Sequence, residues 1–275
     1  MCGIAHKVKR PVAFSHDHTM ITSPGVAPAL ACFFAQRLGA SIAISPASLS
    51  DNRLLAALPA KEQSRLVPQL EHVSLEPGQL LYDLGVIPYI FFPTSGVIAK
   101  IVRMDDGDGI EAGMVGKEGM VPLCLLMGLD STPFRAVVQN AGGAWRMEAA
   151  AFKALIKPGP VVHSLLLRFV AAFMAQVSQS AGCNQLHPLE KRYCRWLLMT
   201  QDRLESNEFV LKQEFAGGML GVRRESITPV ARKLQEAGLI RYIRGRITIT
   251  DRPGLEAASC ECYQRVKAVY DHLLS

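Results

Sequence analysis

Two adjacent arginines, Arg223 and Arg224, precede Glu225-Ser226 and an apolar stripe of Ile227, Val230, Ala231, Leu234 and Ala237 that stops at Gly238. The stripe has helical spacing and Gly238 is a C-terminal stop signal, so both guanidiniums fall in the first turn of a predicted helix. The helix dipole makes that end positive, and each arginine there costs about 0.3–1 kcal/mol unless something anionic answers it. Stability alone does not select such a placement. A phosphate or the acceptor edge of a guanine reverses the sign, and Arg224-Glu225-Ser226 offers donors and acceptors suited to base edges in a major groove. Arg223 and Thr228 stand beside these three. Arg232, Lys233, Arg241, Arg244 and Arg246 suit phosphates, which position a protein on a duplex without specifying sequence. The bland alternative is a solvated basic face on a helical hairpin packed for other reasons.

The elements that would position these residues are legible on either side. Phe215, Met219 and Leu220 predict a short helix before a turn at Gly221, which gives helix-turn-helix spacing with the helix just described. Residues 239–249 alternate around Gly245 and read as a two-stranded wing with arginines at its tip. Together these make a winged helix.

Farther upstream, Leu54, Leu55, Leu58, Leu66, Val67 and Leu70, interrupted by Pro59, predict two short helices. Apolar residues between Val73 and Val137 then recur in short runs broken by Pro77-Gly78, Pro93, Ser95-Gly96 and Asp106-Gly107. That is the pattern of hairpin-linked antiparallel strands, and it predicts a small barrel or sandwich over residues 73–150. The acidic turn at 105–109 lacks the spacing and the closing glutamate of a calcium loop and reads as a hairpin tip. Past Pro158-Gly159-Pro160, Val162, Leu166, Phe169, Phe173 and Gln176 step by four and three along one helical face, a seam for the core or for a partner helix. Val161, Leu165, Leu167 and Val170 flank it, so the helix is expected to touch both its own barrel and a second copy. Gly182 and Pro188 end it, and Leu189, Tyr193, Trp196, Leu197 and Leu204 mark the next amphipathic helix, where a second domain begins.

Composition narrows the function classes. The 275 residues, 49% hydrophobic and 20% charged, are long enough for two cores, and the net charge of +6 leans modestly toward polyanion partners. His163 and Arg168 interrupt 161–177, so no membrane span is expected. The seven cysteines are scattered without a C-x-x-C pair, which predicts a reduced, cytoplasmic protein without a disulfide framework or a recognisable zinc motif. No nucleophile elbow, H-E-x-x-H, P-loop or dinucleotide fingerprint is present, and catalysis is not expected. Residues 1–48, basic at Lys7, Lys9 and Arg10 and then rich in Ala, Ser, Pro and Gly, read as a poorly ordered extension rather than a secretory signal.

Gly221-Val222-Arg223-Arg224-Glu225-Ser226-Ile227, Leu234-Gln235-Glu236-Ala237-Gly238-Leu239-Ile240 and Arg244-Gly245-Arg246-Ile247 together resemble the Crp/Fnr family of bacterial transcription regulators. Upstream, Leu75-Glu76-Pro77-Gly78-Gln79-Leu80-Leu81-Tyr82, Phe92-Pro93-Thr94-Ser95-Gly96-Val97-Ile98 and Val115-Gly116-Lys117-Glu118-Gly119-Met120-Val121 resemble that family's cyclic-nucleotide-binding β-roll. The resemblance covers about residues 50–252. It implies an α+β chain: an antiparallel β-roll (49–158), a long dimerisation helix (159–186) and a C-terminal winged helix-turn-helix (187–275). It also implies a homodimer on a two-fold symmetric double-stranded DNA operator, acting with RNA polymerase. By position, Arg224 and Glu225 match the family's base-reading pair, and Glu118, Arg135 and Ala136, with Ser178 on the long helix, fall where a cyclic nucleotide (cAMP or cGMP) would be held. Glu118 lacks the glycine expected before it, and Glu118 and Arg135 pairing with each other at the roll surface is the alternative. Pro229 stands where the family often has a basic residue, and it predicts a recognition helix that kinks or starts late. If it disabled that helix, the alternative function would be a nucleotide sensor acting through protein partners without DNA. Only Cys2 and Cys32 precede the roll, so the family's iron–sulfur cluster is not expected, and Cys260 and Cys262, two apart in a predicted helix, would diverge rather than share a metal.

Overall fold

A computed structural model describes residues 46–105, 109–155 and 160–273. The expectation for residues 1–48 lies almost wholly outside the described residues. So does the tip of the acidic turn, although the strands on either side of it pair as a hairpin.

The two short helices form as the spacing predicts, α1 (Arg53–Ala56) and α2 (Ala60–Leu66), with Pro59 as the N-cap of the second. Asn52 anchors them. Its Oδ1 accepts from the Leu55 backbone N–H at 3.0 Å, and its amide donates to the Pro93 and Gly119 carbonyls at 2.9 and 2.8 Å, so one buried side chain ties the helix start to the roll. Next in the chain come β1 (Glu71–Leu75), β2 (Leu80–Tyr82), β3 (Gly85–Val86), β4 (Tyr89–Pro93), β5 (Val97–Arg103) and β6 (Gly109–Val115), then β7 (Ser131–Thr132), β8 (Arg135–Asn140) and β9 (Gly142–Glu148). They pair antiparallel as β1-β9-β4, β2-β8-β5-β6 and β3-β7, a roll whose core holds Leu75, Ile90, Phe92, Ile98, Met114 and Val138.

After α3 (Ala149–Leu155) the long helix α4 (Pro160–Leu186) packs on this roll. Room for it comes from two roll glycines. A Cβ on Gly119 would lie 2.1 Å from the Phe169 ring, and one on Gly113 would lie 3.0 Å from that of Phe173. Val162, Leu166, Phe169, Phe173 and Gln176 are all buried, so the seam read from the sequence is the protein's own core and not a partner surface. The stretch Val161–Leu186 is long and apolar enough to cross a membrane by length and composition. One side of it, however, is packed in protein. The Gln176 amide donates to the Met114 carbonyl at 3.0 Å and to the Tyr270 hydroxyl at 2.9 Å, satisfying a buried polar group as a core demands.

The C-terminal part begins with α5 (Leu189–Leu204), then β10 (Glu208–Val210), α6 (Gln213–Leu220), α7 (Arg224–Glu236), β11 (Ile240–Ile243), β12 (Arg246–Ile249), α8 (Arg252–Ala258) and α9 (Cys262–Leu273). The wing has three strands in the order β10-β12-β11, not two. Glu208–Val210 is too short to show an alternating pattern, yet Phe209 pairs opposite Ile247 and is buried. Cys260 lies in the turn between α8 and α9, and only Cys262 is helical. The divergence expected of two residues within one helix therefore does not arise.

α5 is the joint between the two halves. Its Trp196 is buried and donates from Nε1 to Glu111 Oε2 on β6 at 3.2 Å. Burial raises the Glu111 carboxyl from 4.5 to about 7, while the Trp196 hydrogen bond and the charges of Arg195 and Arg203 pull the other way. A carboxyl raised in the fold favours its protonated form there. Its contribution to stability is whole below pH 4.5 and is lost as pH rises through about 7. Glu111→Gln keeps an acceptor for Trp196 and removes the titration. Its melting temperature, followed against pH, is expected to exceed that of the parent above neutrality and to converge with it in acid.

Candidate nucleic-acid interface

The recognition element is assembled by glycines and caps. Gly221 takes φ +64° as the left-handed end of α6, a conformation that strains other residues. Gly217 lets α6 approach the next turn, since a Cβ there would lie 2.9 Å from the Val222 carbonyl oxygen. Arg192 of α5 donates to the free Leu220 carbonyl at the end of α6. Helix α7 buries Ile227, Ala231 and Leu234. It stops in a Schellman arrangement, the Leu239 N–H bonding the Leu234 carbonyl at 3.0 Å and the Gly238 N–H bonding the Gln235 carbonyl at 3.0 Å.

Pro229 does not delay this helix. α7 starts at Arg224 and runs unbroken to Glu236 with Pro229 inside it. The proline and Glu225, whose carbonyl loses its usual donor, are both exposed, so water can take the missing hydrogen bond.

Arg223 is the N-cap of α7 without a capping side-chain bond, and Arg224, Glu225 and Ser226 form its first turn. All four are exposed, and neither arginine makes an ion pair among the described residues. A positive helix end carrying two unneutralised guanidiniums is an anion-seeking surface. Thr228 is exposed, and its hydroxyl donates to Gln213 Oε1 at 2.8 Å, a link across the two helices that spacing does not reveal. Arg232 is exposed one turn further along, whereas Lys233 is held by Glu190 at 2.6 Å.

The wing tip turns through Arg244 and Gly245, at φ +48° and +79°. Two positive φ values in a two-residue loop are the geometry that right-twisted strands prefer, and arginine is an unfavourable choice at the first. Arg244→Gly is expected to raise stability by up to about 1 kcal/mol by relieving that conformation. It should also weaken binding to every duplex alike, which parallel melting and fluorescence-anisotropy measurements would resolve. Arg246 pairs with Glu208 at 3.1 Å, both side chains exposed, a contact weak enough to yield to a phosphate.

Two of the residues carried over for a cyclic nucleotide are held by other partners. Glu118 is buried and forms an ion pair with Arg203 of α5 at 2.7 Å, while its Oε2 accepts from the Gly116 N–H at 3.1 Å. Arg135 grips Asp83 through both ends of its fork, at 3.2 and 2.5 Å. That guanidinium holds the Asp83 carboxyl below the usual range. Glu118 and Arg135 thus pair with other residues and not with each other. Ala136 is buried in β8, and Ser178 is exposed on the outer face of α4. A cleft of about 420 Å³ beside Glu118 is lined by Arg53, Lys117, Asp202, Glu205, Lys267 and Asp271 among others.

Residues 191–258 match the model of the Crp-like helix-turn-helix domain. Solved structures agree in fold. A Crp/Fnr-family protein from Eubacterium rectale superposes with a TM-score of 0.58 at 21% identity, over 78% of this chain and 99% of that one. FixK2 from Bradyrhizobium japonicum gives 0.58 at 14% identity, over 70% and 98%. The c-di-GMP-responsive global regulator CLP of Xanthomonas campestris gives 0.57 at 14% identity, over 70% and 99%. No curated protein matches at the level of sequence. With an antiparallel roll and a long connecting helix leading into a Crp-like helix-turn-helix domain, the chain has the fold of the Crp/Fnr-family transcriptional regulators.

Proposed function

We propose that the protein regulates transcription by binding a two-fold symmetric operator as a homodimer, with Arg224, Glu225 and Ser226 reading bases. Arg223, Arg232, Arg244 and Arg246 hold phosphates in this reading, and Thr228 steadies the turn. The observation that carries it is the pair of exposed, unneutralised arginines at the start of α7. The unbroken helix removes the ground for a sensor that never touches DNA.

The dimer reading rests on the face of α4 opposite the core. Ser164, Leu167, Ala171, Met174, Ser178 and Ala181 are all exposed and step by three and four residues, a seam suited to a second copy of the same helix. Its small residues allow close approach, and Leu167 and Met174 supply the apolar contact. A glutamate introduced by Met174→Glu would face its own symmetry mate. Sedimentation equilibrium is expected to find a monomer with unchanged helix content and operator affinity reduced more than tenfold. An intact dimer would place the interface elsewhere.

For the effector, this reading assigns the roll an anionic ligand of the cyclic-nucleotide class whose phosphate takes Arg135 by displacing Asp83. Glu118 serves the fold through Arg203. CLP is described as responsive to c-di-GMP, so calorimetric titration with cAMP and cGMP, extended to that larger ligand, tests the assignment. Contact with RNA polymerase completes the proposal.

A further inference from the structure

The last turn of α4 and the turn between α8 and α9 bring three thiols and an imidazole to one point. Cys183 and His187 are one helical turn apart, the His187 N–H bonding the Cys183 carbonyl at 3.0 Å. Cys260 sits in the turn after α8, and Cys262 opens α9. Their sulfur and nitrogen atoms all lie within 4.8 Å of one another. Cys183 Sγ is 3.5 Å from Cys260 Sγ, and Cys262 Sγ is 3.5 Å from His187 Nδ1. Zinc bonds of about 2.3 Å to sulfur and about 2.0–2.1 Å to nitrogen, set tetrahedrally, require S···S near ~3.8 Å and S···N near ~3.5 Å. The Cys183–Cys260 and Cys262–His187 separations lie within about 0.3 Å of these values, and the other pairs, none beyond 4.8 Å, would close by at most about 1.3 Å.

The surroundings are those of a ligand set rather than of packed thiols. All three cysteines are buried and form a cluster of their own, apart from the main apolar core. The two nitrogens of His187 are divided: Nδ1 faces the sulfurs, and Nε2 faces Glu261 Oε2 at 3.5 Å. A carboxylate behind the second nitrogen is the arrangement that orients a metal-bound histidine. The Gln179 amide donates to Cys262 Sγ at 3.1 Å, as second-layer donors do toward a thiolate. A disulfide between Cys183 and Cys260 would account for two of the four groups and leave Cys262, His187 and Glu261 without a reason to converge.

We propose that Cys183, His187, Cys260 and Cys262 form a tetrahedral zinc site that clamps the C-terminal helices to the end of the long helix. His187 immediately precedes Pro188 and α5, the point where the long helix passes into the DNA-binding half. Metal at this place fixes that joint.

Full-length protein purified under reducing conditions is expected to contain one zinc per chain by mass spectrometry. After exchange, cobalt(II) should give the intense visible bands and thiolate charge-transfer absorption of a tetrahedral site, and zinc should bleach them. Cys262→Ser is expected to lose these bands. Glu261→Gln is expected to keep them with affinity lowered about tenfold. The wild-type cobalt spectrum decides the matter even if the cysteine variant fails to fold. Cobalt binding without thiolate absorption would overturn the proposal, as would reduced protein that takes up no metal and forms a Cys183–Cys260 disulfide on oxidation. None of these readouts involves DNA, so the outcome stands apart from that of the operator reading.

Discussion

Glu118→Ala is expected to lower folding stability by about 3–5 kcal/mol, because it strands the Arg203 guanidinium in the interior. Both partners of this pair are 8% exposed and 2.7 Å apart. Arg203 also donates from Nη1 to the Met199 carbonyl at 2.9 Å, lies 5.6 Å from the Tyr270 ring and feels the more distant charge of Asp202. An unpaired charge in that setting is poorly solvated. Replacing both residues, Glu118→Leu with Arg203→Met, removes the charge and its counter-charge together and is expected to recover most of the loss. Chemical denaturation of the two variants measures both effects. The pair bridges the roll and α5, so the single variant should also loosen the joint between the halves. Were Glu118 a ribose ligand in place of a structural partner, its substitution would weaken effector binding and leave the denaturation midpoint where it was.

Arg224→Ala is expected to cost about 1–3 kcal/mol on the preferred operator, a loss of about five- to 150-fold, while binding to unrelated duplex stays nearly constant. The distinction follows from placement. Arg224 stands in the exposed first turn of the recognition helix, where a bidentate contact to a base edge is within the reach of its fork. Arg232→Ala supplies the contrast. Arg232 is exposed, and in the proposed reading its loss should weaken every duplex alike while reducing the steepness of the salt dependence. Competition titrations with matched and scrambled duplexes separate the two behaviours. Equal losses on both duplexes for Arg224→Ala would reassign it to the backbone.

The sequence carried the helix-turn-helix half better than the roll, for physical reasons. Glycines and apolar periodicity punctuate 213–249 strongly, because a helix-turn-helix needs Gly221 and Gly238 in left-handed conformations that few other residues accept. β10 escaped, being three residues long, and so did the break between α8 and α9. The seam on α4 stayed open between core and partner because both faces of that helix carry large apolar residues. Phe169 and Phe173 are core, Leu167 and Met174 are exposed, and spacing alone cannot say which side meets the roll. The pairing of Glu118 was not legible for another reason. Its partner Arg203 lies 85 positions away, beyond any local pattern. The thiol cluster failed on a boundary error of two residues: with Cys260 placed inside a helix its side chain diverges from Cys262, and placed in the preceding turn it converges.

The most direct test of the account is selection of bound duplexes from a random pool by the full-length protein, followed by sequencing. The predicted result is a two-fold symmetric consensus whose half-sites are centred about one helical turn apart, or a multiple of it, and which Arg224→Ala no longer enriches. A pool that emerges without enrichment, or a consensus with no symmetry that survives Arg224→Ala unchanged, would contradict it.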